Sequence, residues 1–259
     1  MPGRRPSARP VGSAGSAVVC RTCARLSSAS PGAEIPLILI GVRDEFTGRP
    51  WAAPAEHWPG LVGGRDLLAG GTWLAVDPGA GRACALLNGH GVPAPEPIRR
   101  SRGELPLLVA AGDGPADLEL AGYDPFHLVL ADAAGARLWS WDGAALDGTE
   151  LPAGTHMIVN SGWERGADNE RVAFFRPLFA GARRPAALDG PWDEWAFLAT
   201  GAGLPADDPR ALIIRHELPD GRVFASLSVT LLAFSADGIR YDFTGDPGDP
   251  RAFHRVLPE

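Results

Sequence analysis

The sequence of 259 residues contains no lysine and no glutamine, so all 24 of its basic side chains are arginines. We read that as a coding bias and not as chemistry. The formal net charge is −7 and no continuous basic stretch is present, which discounts nucleic acid as a partner. Cysteine is scarce: Cys20, Cys23 and Cys84 are an odd number, which argues against a disulfide framework and for a reducing, cytoplasmic compartment. Cys20 and Cys23 form a lone C-x-x-C, without the second pair or spaced histidines that a zinc site wants, so neither a metal nor another cofactor is expected. Long apolar runs are also missing. The stretch 37–42 falls far short of the roughly 20 residues that span a bilayer, so no membrane span is expected. No acidic residue precedes Glu34. Residues 1–22, rich in Arg, Ser, Pro, Ala and Gly, read as a disordered leader or a mis-assigned start. Residues 23–259 then read as one domain.

What the sequence holds in quantity is glycine (33) and proline (25), which favour turns and short elements over long helices. A hydrophobic fraction of 45% is enough for a sizeable core. Segments 35–42, 72–76, 82–88, 127–132, 137–141, 155–160, 211–215, 223–234 and 239–243 have strand length and composition. Turn signals such as Asp77-Pro78-Gly79 separate neighbours, which predicts antiparallel hairpins. Bulky residues at helical spacing predict helices over 172–179 and 192–199. The fold class is therefore α+β, with antiparallel sheets and helices packed outside.

One hairpin carries possible chemistry. If Gly32 and Ala33 form a two-residue loop, Cys23 faces Val42 and lies beside Arg43 and Asp44. Facing Cα atoms in an antiparallel pair are roughly 4.5 to 5.5 Å apart. A guanidinium at that range favours the thiolate, the nucleophilic form of a group whose ordinary pKa is about 8.5. Were Cys23 the first residue of the mature chain, its α-amine, with a pKa of about 7.7 to 8.0, would serve as general base. On the residues alone a plainer reading also stands, in which Cys23 fills a sheet and Arg43-Asp44-Glu45 is a solvated loop.

The stretch Val42-Arg43-Asp44-Glu45 resembles the Asn-Arg-Asp-Glu motif of the NRDE family, also called the Transport-and-Golgi-organisation-2 family, with the asparagine replaced. The resemblance continues through Arg49-Pro50-Trp51 and His57-Trp58-Pro59. It is strongest from Gly63-Gly64-Arg65-Asp66 to Gly70-Gly71-Thr72-Trp73. Ser101-Arg102-Gly103-Glu104, Tyr123-Asp124-Pro125-Phe126-His127 and His156-Met157-Ile158-Val159-Asn160 follow in family order. The resemblance implies an N-terminal-nucleophile-hydrolase-like fold, a four-layer αββα sandwich of two antiparallel sheets flanked by helices. Family members begin Met-Cys, and removal of the Met exposes the Cys. The spacing to the motif arginine matches Cys23, with Cys20 the fallback, although Thr22 stands where the initiator Met would be.

The choloylglycine and penicillin V amidases of that fold place an Arg and an Asp soon after the Cys and two asparagines later. Arg43 and Asp44 match the first pair. Asn88 and Asn160 are the candidates for the second, as oxyanion donors, and each also reads as an ordinary strand-end residue. The implied function is a cysteine amidohydrolase acting on a small linear amide. The alternative is a non-catalytic haem or lipid binding and trafficking protein. Both imply a small-molecule ligand or substrate and leave the oligomeric state open.

Overall fold

The structure, a computed structural model, describes residues 24–112, 114–163 and 169–257. Fifteen strands are present among them. In chain order they are β1 (Ala24–Ala29), β2 (Leu37–Phe46), β3 (Trp51–Trp58), β4 (Leu61–Asp66), β5 (Leu74–Asp77), β6 (Arg82–Asn88), β7 (Phe126–Asp132) and β8 (Ala136–Trp141). There follow β9 (Leu146–Leu151), β10 (Gly154–Val159), β11 (Gly162–Trp163), β12 (Arg215–Glu217), β13 (Val223–Ser235), β14 (Gly238–Thr244) and β15 (His254–Arg255). Three α-helices accompany them: α1 (Leu105–Ala111), α2 (Glu170–Gly181) and α3 (Asp193–Ala199).

The strands form two antiparallel sheets. The first runs β11-β10-β1-β2-β13-β14-β15, with β12 added on β13, and the second runs β3-β4-β5-β6-β7-β8-β9. Alternation along each strand sends one set of side chains between the sheets and the other set outward. Leu37, Leu39, Leu232 and Phe234 of the first sheet meet Leu74, Val76, Ala85 and Val129 of the second in an inter-sheet core. On the outer face of the first sheet, Ile38, Ile40, Val42, Val229 and Leu231 pack against Phe175 and Phe179 of α2 and Trp195 of α3. On the outer face of the second, Ala75, Cys84, Phe126 and Leu128 pack against Leu105 and Val109 of α1. The four layers, helix, sheet, sheet, helix, are those the family resemblance implied.

Most hairpins fall where the turn residues place them. Strand β5 pairs with β6 and β7 with β8, and both helices expected from spacing form. Two expectations are corrected. Segment 211–215 is not a strand: Ala211 and Ile214 are buried in a small apolar cluster with Phe224, and strand geometry begins only at Arg215. The first hairpin is also offset by one residue, with Ala24, and not Cys23, opposite Val42. Its turn is longer than two residues, because the amide of Ser30 donates to the carbonyl of Pro36 at 2.8 Å and closes the loop there. Gly32 takes a positive φ of 82° within that loop.

Candidate active site

The end of β2 places two charged side chains on opposite faces. Leu37 and Leu39 face the inter-sheet core, whereas Ile38, Ile40 and Val42 face the helices. By the same alternation Arg43 turns toward the second sheet and Asp44 away from it. A β-bulge in the neighbouring strand coincides with this point. Asp44 faces Ser226 and Arg43 faces Ser228, so Leu227 is the extra residue. Bulges re-aim side chains locally. Here the Ser226 hydroxyl donates to Asp44 Oδ1 at 2.6 Å while accepting the amide of Ile214 at 3.0 Å.

Arg43 is buried, and its guanidinium carbon lies over the Trp73 ring, 4.3 Å from the centroid, with Trp51 5.8 Å away. A planar cation over an indole face is favourable and is worth most where water is excluded. The glycines of the quoted motif make this platform. A Cβ on Gly64 would lie 2.3 Å from the Trp73 ring, and one on Gly71 would lie 2.3 Å from the backbone of Gly103. Between them, the Thr72 hydroxyl lies 2.6 Å from the Gly64 carbonyl, and the Thr72 amide donates to Gly103 at 2.7 Å. The stretch is a close-packed backbone crossing, and it positions Trp73.

Arg43 and Asp44 line a cleft of about 330 Å³ together with Asn88, Asp66, Arg49, Arg100 and Arg102. Asn88 closes β6 opposite Phe126. Asp66 accepts from Arg49 Nε at 2.6 Å and from the amides of Leu68 and Ala69 at 2.9 Å each. Burial alone would raise its pKa. The Arg49 hydrogen bond and the two amides outweigh that and hold the carboxyl below its ordinary range. The pairing of Asp66 with Arg49, and not with the adjacent Arg65, was not legible from sequence neighbourhood.

Asn160 is buried at the turn after β10. Its carbonyl accepts from His127 Nε2 at 3.3 Å, which leaves His127 Nδ1 to accept the Ser140 hydroxyl at 2.8 Å. This contact joins the two sheets, since His127 lies on β7 and faces Leu87, the neighbour of Asn88. Of the two asparagines, Asn88 lines the cleft and Asn160 does not. His156 is held in the same way: Trp163 Nε1 donates to its Nδ1 at 3.3 Å and its Nε2 donates to the Pro152 carbonyl at 2.9 Å. Both histidines are hydrogen-bonded through both ring nitrogens.

Cys20 and Cys23 lie outside the described residues. The described neighbour Ala24 pairs with Val42 on one side and with Val159 on the other. Arg43 and Asn160 are the residues that follow those two partners. The residues absent from the sequence-based selection are Arg49, Trp51, Trp73, Arg100, Arg102 and Ser226, which come from distant segments. No group of three or more His, Cys, Asp or Glu suited to a metal is found among the described residues. No described helix is long and apolar enough to cross a membrane.

No curated protein matches the chain. Among solved structures, a penicillin V acylase from Agrobacterium tumefaciens aligns with a TM-score of 0.43 at 15% identity, over 86% of this chain and 83% of its own. Residues 22–180, more than half of the sequence, match the family described as Transport and Golgi organisation 2, and the chain belongs to that family.

Proposed function

We propose that the protein is a cysteine amidohydrolase of the N-terminal-nucleophile type, acting on a small linear amide. The observation that carries this reading is the position of Ala24 between Val42 and Val159. Consecutive Cα atoms are about 3.8 Å apart. In this reading Cys23, the residue before Ala24, acts beside Arg43 of β2 and Asn160 after β10, at the cleft that Arg43 and Asn88 line.

In this mechanism Cys23 is the first residue of the active chain. Its α-amine takes the thiol proton, and the Arg43 guanidinium favours the thiolate. The sulfur attacks the amide carbonyl to form a tetrahedral oxyanion. The side-chain NH2 of Asn88 or Asn160 donates to that oxygen, a contact whose loss costs about 100- to 1000-fold in turnover. The α-ammonium returns its proton to the departing amine, the C–N bond breaks, and a thioester remains. Water, deprotonated by the same α-amine, cleaves the thioester to release the acid and regenerate the thiol. In this reading Asp44, which accepts the Ser226 hydroxyl, orients the α-amine.

The test is covalent labelling of protein beginning at Cys23 with a thiol-directed amide analogue, read by peptide mass. A single adduct at Cys23, lost in Cys23→Ala, is expected. An adduct that forms equally in Cys23→Ala sinks the proposal.

A further inference from the structure

The bulge on β13 sets Ser226 opposite Asp44 and Ser228 opposite Arg43, with Leu227 the extra residue between them. Ser226 is anchored a second time, on the side away from Asp44. Its amide donates to the Ile214 carbonyl at 2.9 Å, and its hydroxyl accepts the Ile214 amide at 3.0 Å. A serine hydroxyl has one proton to give. With the Ile214 amide arriving as a donor, that proton is directed at Asp44 Oδ1, 2.6 Å away. Both side chains are buried, and the distance is that of a hydroxyl bonded to a carboxylate.

The segment that steers the hydroxyl is itself fixed. Arg171 Nε of α2 donates to the Ala211 carbonyl at 2.6 Å. Ala211 and Ile214 are buried with Phe224, and Phe46, at the end of β2, packs against them. The Phe46 and Phe224 rings meet edge to face, with centroids 5.4 Å apart. Asp44 is thus gripped by a side chain whose backbone, acceptor and proton are each committed by a neighbour. A bulge that re-aims one residue at a cleft-lining carboxylate is a positioning device.

Resting on the amidohydrolase reading, we infer that Ser226 is a positioning residue, which holds the Asp44 carboxylate in the orientation that meets the α-amine of Cys23. It acts on the thiol only through Asp44. A serine that merely tied β13 to segment 211–214 would affect stability and leave the reactivity of Cys23 as it is.

The experiment measures the rate at which iodoacetamide labels Cys23, read by mass, on protein beginning at Cys23 at pH 7.5. Cys84 is fully buried, so an adduct there marks an unfolded molecule, and only molecules without it are counted. Ser226→Ala is expected to slow labelling of Cys23 by about tenfold to a hundredfold, the range for a hydrogen bond to a charged group. Ser226→Cys, of similar shape with a weak donor, is expected to slow it as well and serves where the alanine variant fails to fold. In an Asp44→Ala background neither substitution is expected to slow it further. Wild-type rates in a folded Ser226 variant, or equal slowing with and without Asp44, overturn the inference. The rate is read without turnover, which separates the two readings. Slowing that depends on Asp44, in protein that hydrolyses no amide, sinks only the hydrolase reading. Hydrolysis of an amide at Cys23, with labelling indifferent to Ser226, sinks only the role of Ser226.

Discussion

Arg43 of the first sheet rests on Trp73 of the second, its guanidinium carbon 4.3 Å from the ring centroid. The contact fixes the arginine where it meets the cleft and also joins the two sheets at that end. Lysine at this position keeps the charge but not the planar face. A double-mutant cycle of Arg43→Lys and Trp73→Leu, read by chemical denaturation, is expected to give a coupling of about 0.5–2 kcal/mol. Gly64→Ala acts on the same contact from the far side, because the new methyl meets the Trp73 ring. A cycle with zero coupling removes the stacking argument.

A buried ionic knot holds the opposite side of the first sheet. Asp242 accepts from Arg240 Nη2 at 2.7 Å, Arg255 Nε at 2.8 Å and Trp192 Nε1 at 3.0 Å. Arg240 also reaches the carbonyl of Gly190, tying the loop before α3 to β14. Removing the carboxylate leaves the buried Arg240 guanidinium without its charge partner, a loss of about 3–5 kcal/mol. Asp242→Ala is expected to lower the denaturation midpoint by that much, whereas Asp237→Ala, at the β13–β14 turn, is not. Similar midpoints for the two variants refute the assignment.

Much of this architecture was written in local pattern, and the remainder shows where local pattern fails. Strands β5 to β8 were legible because apolar runs alternate with Asp-Pro-Gly or Ala-Gly turns. Strands β3 and β9 were not, because β3 is only partly buried and interrupted by Pro54, and β9 is largely exposed. The apolar run at 211–214 imitated a strand because it is buried by packing against Phe224, not by pairing. In the site, Arg43 and Asp44 were found because they belong to a recognisable motif, and Asn88 because it ends a strand. Arg100 and Arg102 were invisible as site residues, since only the folded sheets bring segment 100–103 beside Thr72.

Acid should weaken the mouth of the cleft through Asp66. Its pKa in the folded chain lies below the ordinary carboxylate value, so the unfolded chain binds the proton more readily. The stabilisation is therefore fully present above about pH 4, the unfolded value, and is lost as pH falls through the lower folded value. Thermal midpoints of the wild type and of Asp66→Asn are expected to differ at pH 7 and to converge as pH drops below about 4. A difference that stays constant down to pH 2.5 contradicts the sign.

Cys84 provides the control that the nucleophile assignment needs. Its side chain is fully buried among Ala75, Val109 and Phe126, and burial pushes its thiol far above the ordinary range. A thiol that is neither ionised nor reachable does not react with iodoacetamide. Native protein treated at pH 7.5 is therefore expected to carry no adduct at Cys84, and denatured protein to carry one. Cys84→Ala removes one sulfur from a packed core, at a cost of about 1 kcal/mol by the scale of small core truncations. That variant should remain folded and keep every adduct formed on the native chain. If native labelling instead falls when Cys84 is replaced, the reactive thiol of this protein lies in the second sheet, and the pairing of Ala24 with Val42 and Val159 has no bearing on its chemistry.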